Sequence, residues 1–151
     1  MTGPFGLAEL ALKLILAILF GGILGWEREE QRKPAGLRTH MMVALGAASV
    51  TMAALYLTHP GVLQGDIFRI DPTRVIEGVI GGIGFLGAGS IIQSRGSVEG
   101  ITTAASIWVA GSLGVAAGLG LYVLALLTVI FALVILRLIG MLEKRYTKKD
   151  S

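Results

Sequence analysis

Residues 78–89 read GVIGGIGFLGAG, six glycines in twelve residues, and no charged residue occurs from Gly78 to Ile92. A glycine in a helix interior costs roughly 1 kcal/mol relative to alanine, so a water-soluble helix carrying six would be badly strained. A bilayer changes the balance. Backbone hydrogen bonds are forced to close within the segment, and small residues let helices approach closely. The run reads either as the packing centre of a membrane protein or as a membrane helix that is deliberately broken.

Composition supports the membrane reading. Of 151 residues, 54% are hydrophobic and 15% are charged, against about 25% charged in soluble domains. The charges cluster between long apolar stretches, and no hydrophilic stretch is long enough to form a second domain. The expectation is one all-α polytopic membrane bundle with short loops. There is no cysteine, which excludes disulfides and thiolate metal sites. The net charge of +3 is no nucleic-acid signal, because the basic residues sit at the ends of apolar spans. The N-terminus lacks a basic start and a small-x-small cleavage site before Glu27, so the first apolar stretch is expected to be retained.

A bilayer core of about 30 Å needs about 20 helical residues. Five segments qualify: residues 7–26, 41–57, 75–93, 101–118 and 119–140. The last two are separated only by the turn around Gly118, Leu119 and Gly120 and must form an antiparallel hairpin. Arg28, Arg32, Lys33 and Arg38 lie between spans one and two, and Arg95 between three and four. Arg137, Lys144, Arg145, Lys148 and Lys149 lie at the C-terminal end, leaving Lys13, Arg69 and Arg74 for the other side. Positive charge marks the cytoplasm, so the N-terminus is expected outside and the C-terminus inside. Tyr56 and Tyr122 then fall near the outer interface, and Trp26 and Tyr146 near the inner one. Lys13, with Glu9 one turn earlier, interrupts span one. It reads as an interfacial i, i+4 pair with a snorkelling lysine, or as an intramembrane charge facing a cavity.

The densest polar segment, WEREEQRKPAGLRTH, joins spans one and two, with Pro34 and Gly36 ending the first helix. Its charges Glu27, Arg28, Glu29 and Glu30 can be solvated anchors. Alternatively, Glu27 and Arg28 turn inward to meet Arg38, Thr39 or His40, since the short loop brings the two helix ends together. A lone histidine makes a poor zinc site; carboxylates with water would better suit a hard cation such as Mg2+. Glu27 and Glu77 are the candidate ligands, and no cofactor is otherwise expected.

Span three opens with Asp71, Pro72 and Thr73, an acidic cap followed by proline at the first helical position. Glu77 precedes the run Gly78, Gly81, Gly82, Gly84, Gly87 and Gly89. Gly78 with Gly82 has small-xxx-small spacing, as do Gly21 with Gly25 and the row Ala110, Gly114, Gly118. A tight bundle accounts for these rows. The sharper alternative unwinds residues 84–89 so that freed carbonyls face an ion path. On the inner side, Glu99, Thr102, Thr103 and Ser106 mark the start of span four. Glu99 and the two threonines can cap it, or its dipole can hold an anion at the boundary. No Walker loop, nucleophile–base pair or HExxH pattern occurs, so no enzyme is expected.

Three blocks, GWEREEQRKPAGLRTHMMVALGA, RVIEGVIGGIGFLGAGSII and GITTAASIWVAGSLGVAAGLG, resemble those of the MgtC/SapB family of bacterial membrane proteins, in the same order and over nearly the whole chain. The resemblance implies an inner-membrane protein linked to adaptation to low magnesium and, in pathogenic members, to survival inside macrophages. For some members it implies restraint of the proton-driven ATP synthase rather than magnesium carriage. Virulence-associated members continue into a soluble cytoplasmic domain. This chain reads as the short, membrane-only form, because it ends soon after Lys149.

Three functions follow as expectations. The first is a non-enzymatic protein of magnesium homeostasis acting through helix–helix contacts with itself, as a dimer, or with a membrane partner. The second is a small cation transporter or channel protomer with a site near Glu77. The third is a packing module without a ligand.

Overall fold

The structure, a computed structural model, describes residues 5–59, 71–94 and 97–141. Arg69, Arg95, Lys144, Arg145, Tyr146, Lys148 and Lys149, which entered the orientation argument, lie outside the described residues. Five helices form: α1 (Leu7–Glu30), α2 (Leu37–Leu57), α3 (Pro72–Gly89), α4 (Ile101–Leu119) and α5 (Tyr122–Val134), the last continuing into a π-helical turn, Ile135–Ile139. α1, α2, α4 and the helix Tyr122–Ile139 are long and apolar enough to cross a membrane; α3 is not among these four. A short antiparallel hairpin that the all-α expectation lacked, β1 (Ile92–Ser94) with β2 (Ser97–Glu99), joins α3 to α4.

The helix ends follow local chemistry. Asp71 caps α3, its carboxylate accepting from the Thr73 amide at 2.9 Å, with proline in the first turn. α4 closes on Gly120 at φ 81°. There the Gly120 amide donates to Ala117 O and the Leu121 amide to Ala116 O, at 3.0 and 2.8 Å. This is a Schellman close, and it turns the chain straight into α5. α1 ends the same way, but with Arg32 in the left-handed position at φ 54°. The Arg32 amide donates to Glu29 O and the Lys33 amide to Arg28 O.

Glycine sets the spacing of the bundle. A Cβ on Gly21 would lie 2.6 Å from His40 O, and one on Gly25 would lie 2.8 Å from Leu37 Cα, so α1 and α2 touch backbone to backbone. Gly114 presses on the Ala44 carbonyl in the same manner, and a Cβ on Gly118 would come within 2.9 Å of Ala48 O. Both numbers rise together along α2 and α4, so these two helices run parallel. Ile83 fills the notch at Gly111, and Gly87 faces Ala104, so α3 runs antiparallel to α4. Around these seams lies an apolar core that includes Phe20, Leu24, Leu113 and Val129.

Two expectations about α3 are corrected. Its glycine run is not the packing centre of the protomer: among the described residues, Gly78, Gly81, Gly82, Gly84 and Gly89 have no atom beyond their own helix backbone within 4 Å of the place a Cβ would occupy. Phe85, 81% exposed, stands on the same helix. Nor does the helix unwind. It is continuous from Pro72 through Gly89, and the third segment ends there rather than at residue 93 because Ile92 enters the hairpin.

Candidate functional site

Five of the seven polar residues buried among the described residues, Glu27, Arg28, His40, Thr103 and Ser106, gather at one end, where α1 finishes and α2 and α4 begin. Glu27 and Arg28 are 1% and 2% exposed. Gln31 donates to Glu27 Oε1 at 2.6 Å, and Arg28 lies 3.5 Å from Glu27 Oε2. Of the two sequence readings, the inward one holds for these side chains. Glu29 instead accepts from the Leu37 amide at 2.8 Å and so caps α2 across the loop. Close contact of its carboxylate with Gly36 leaves no room for a side chain there.

His40 is fully buried and joins two helices. Its Nδ1 lies 2.8 Å from Gly36 O and its Nε2 3.0 Å from Ser106 Oγ. A carbonyl only accepts, so Nδ1 carries a hydrogen. Ser106 Oγ also lies 2.8 Å from Thr103 O. The single hydroxyl hydrogen therefore has two acceptors. It serves Nε2 when the imidazole is neutral and Thr103 O when Nε2 is protonated. Gly25 makes this geometry possible, since a Cβ there would stand 2.9 Å from His40 Cβ.

The other sequence candidates are placed differently. Arg38 and Thr39 are exposed; the side chain that meets the histidine, Ser106, comes from α4. Glu99 does not cap α4, because it is held in β2 opposite Ile92. Thr102 and Thr103 do not cap it either: Gly100, at φ 90°, is the N-cap and no side chain bonds there. Glu77 is exposed near the start of α3, toward the end of the bundle away from Glu27. Among the described residues, no three His, Asp or Glu side chains gather where a metal ion could be held. Gln31 was missed by sequence reasoning, although its i, i+4 spacing from Glu27 was visible.

Lys13 marks the opposite end of α1. It is 5% exposed, ion-paired to Glu9 at 3.0 Å and 4.3 Å from the Phe5 ring centroid. The expected pair forms, but its lysine is covered by protein rather than by water, beside the turn at Gly120.

A bundle of apolar helices with buried charge confined to its ends is the architecture of an integral membrane protein. The chain belongs to the MgtC family, whose sequence profile matches residues 14–145. It is 36% identical over 143 residues to YhiD of Escherichia coli K12, covering 95% of this chain and 66% of that protein. It is 38% identical over 129 residues to MgtC of Brucella abortus, covering 85% of this chain and 50% of that one. SrpB of Synechococcus elongatus is 38% identical over 138 residues, covering 84% of this chain and 72% of its own length. The chain thus spans just under two thirds of YhiD and half of the Brucella protein. No solved structure matches it.

Proposed function

We propose that this is a non-enzymatic protein of the bacterial inner membrane that acts in magnesium homeostasis through helix–helix contacts. The magnesium connection rests on its family and on YhiD, whose name carries a provisional magnesium-transporter assignment. The mode of action rests on one observation: five of the six glycines of α3 stand open among the described residues, while Gly21 and Gly25 of α1 and Gly114 and Gly118 of α4 are closed against α2. An open small-residue face on a membrane helix suits a second copy or a membrane partner such as the ATP synthase that the family resemblance implies. Continuity of α3 through residues 84–89 removes the main reason for an ion path there. In a deletion strain growing poorly at low magnesium, the intact gene should restore growth, whereas Gly82→Leu should not, despite normal membrane insertion. Normal growth of the deletion strain at low magnesium would count against the reading. So would cation flux in liposomes that Glu77→Gln abolishes.

The proposal includes five spans, with the N-terminus outside. α2 and α4 run parallel, so the chain must cross back between them, and α3 is the described helix that lies there. Its 18 residues reach about 27 Å, close to the hydrocarbon thickness. The chain lacks cysteine, so single cysteines replacing Thr58 and Lys33 can be labelled selectively. Thr58→Cys should react from outside intact cells and Lys33→Cys only after lysis.

A further inference from the structure

A cavity of about 450 Å³ opens where α1 ends and α4 begins. Its lining includes Arg28, Lys33, Ser90, Glu99, Thr102 and Thr103. The first turn of α4 faces it without a cap. The first helical bond runs from the Ala104 amide to Gly100 O at 2.8 Å, and Gly100 brings no side chain. The amides of Ile101, Thr102 and Thr103 are therefore left without helical partners at the positive end of a 19-residue helix.

Arg28 supplies an independent observation. Its side chain is almost wholly buried, yet Nε has no hydrogen-bond partner among the described residues. Its one ionic contact among the described residues, to Glu27, is long at 3.5 Å. A buried guanidinium N–H left unpaired costs free energy, and Arg28 lines the cavity. Lys33 adds a second positive charge at the exposed side of the cavity. Glu99 is the opposing charge, and it too is exposed.

We infer that this cavity binds a phosphoryl group. Its donors are amides, threonine hydroxyls, a planar guanidinium and an ammonium, which together match a tetrahedral oxyanion with several acceptor oxygens. The volume exceeds what a halide needs. The site stands at a membrane boundary, so the phosphoryl group comes either from free phosphate or from a phospholipid headgroup. The assignment does not depend on the magnesium reading.

The test uses the full chain in phosphatidylcholine nanodiscs. One arm measures equilibrium binding of radiolabelled inorganic phosphate. The other adds phosphatidic acid to the discs and counts lipids retained in native mass spectrometry. Saturable binding in either arm is expected, and the arm that shows it identifies the source. Arg28→Gln should weaken binding about tenfold or more, as loss of a charge-assisted hydrogen bond does. Glu99→Gln should tighten it by up to about threefold, and Lys33→Gln should weaken it by a similar factor. Both lie on the exposed rim and leave folding intact, so they keep the test decisive if Arg28→Gln does not fold. The proposal is overturned if the parent binds neither probe. It is also overturned if a folded Arg28→Gln, or the two rim variants, bind as the parent does.

Discussion

His40 Nε2 and Ser106 Oγ meet at 3.0 Å across 66 residues of sequence, tying the start of α2 to the start of α4. The contact is fully buried, so its loss cannot be repaired by water. Ser106→Ala should lower stability by about 1–3 kcal/mol through the unpaired imidazole nitrogen, read as a lower midpoint of thermal unfolding in mild detergent. Ser106→Thr, which keeps the hydroxyl, should recover part of the loss. An unchanged midpoint for Ser106→Ala would show that the contact carries no stability.

Glycines in this chain divide into two kinds with opposite predicted responses. Gly114 abuts the Ala44 backbone, so Gly114→Ala must push α2 and α4 apart and should cost about 1–3 kcal/mol, the range for overpacking. A Cβ on Gly81 would meet nothing within 4 Å beyond its own helix backbone among the described residues. Gly81→Ala should leave the protomer as stable or raise its stability by up to about 1 kcal/mol through helix propensity. If the α3 face binds a second copy, the bulkier Gly81→Leu should abolish lipid-phase cross-linking while leaving the protomer folded.

Arg32 holds a left-handed backbone conformation at the end of α1, at φ 54°. That conformation costs a residue with a Cβ roughly 1–2 kcal/mol, and Arg32 is exposed. Arg32→Gly should therefore raise the unfolding midpoint, an unusual outcome for removing a charged residue, and Arg32→Val should lower it. Circular dichroism melts of the three proteins would order them.

Acid should loosen the start of α3. The Thr73 side-chain and backbone hydrogen bonds hold the Asp71 carboxyl below its ordinary value of 3.8. A depressed folded pKa means that the cap's contribution is fully present above 3.8 and is lost as pH falls through the lowered folded value. Amide exchange at Val75 and Ile76 should accelerate over that acidic window. In Asp71→Asn, which caps without titrating, it should not.

Much of the fold was legible from periodicity and punctuation. The apolar stretches, the Asp-Pro start of α3 and the Gly120 turn are local signals, because each depends only on residues within a turn or two. The inward turn of Glu27 and Arg28 was readable as one of two options, since the loop of residues 31–36 is too short to separate the helices. Its partners were not readable. Arg38 and Thr39 were the nearest in sequence, yet helix rotation turns them outward and leaves His40 inside.

The sequence by itself determined that this chain belongs in a membrane, as helices whose small residues line up in rows, because hydropathy and spacing are properties of each segment alone. The family blocks were visible at the same level. Which rows close and which stay open was decided only by tertiary structure. Gly21, Gly25, Gly114 and Gly118 are spent on α2, whereas five of the six glycines of the denser run in α3 are left free among the described residues. Small-residue spacing states that a close approach is possible, but a helix face finds its partner only when all the helices compete for the same neighbours. The same competition left Arg28 buried beside an uncapped helix end.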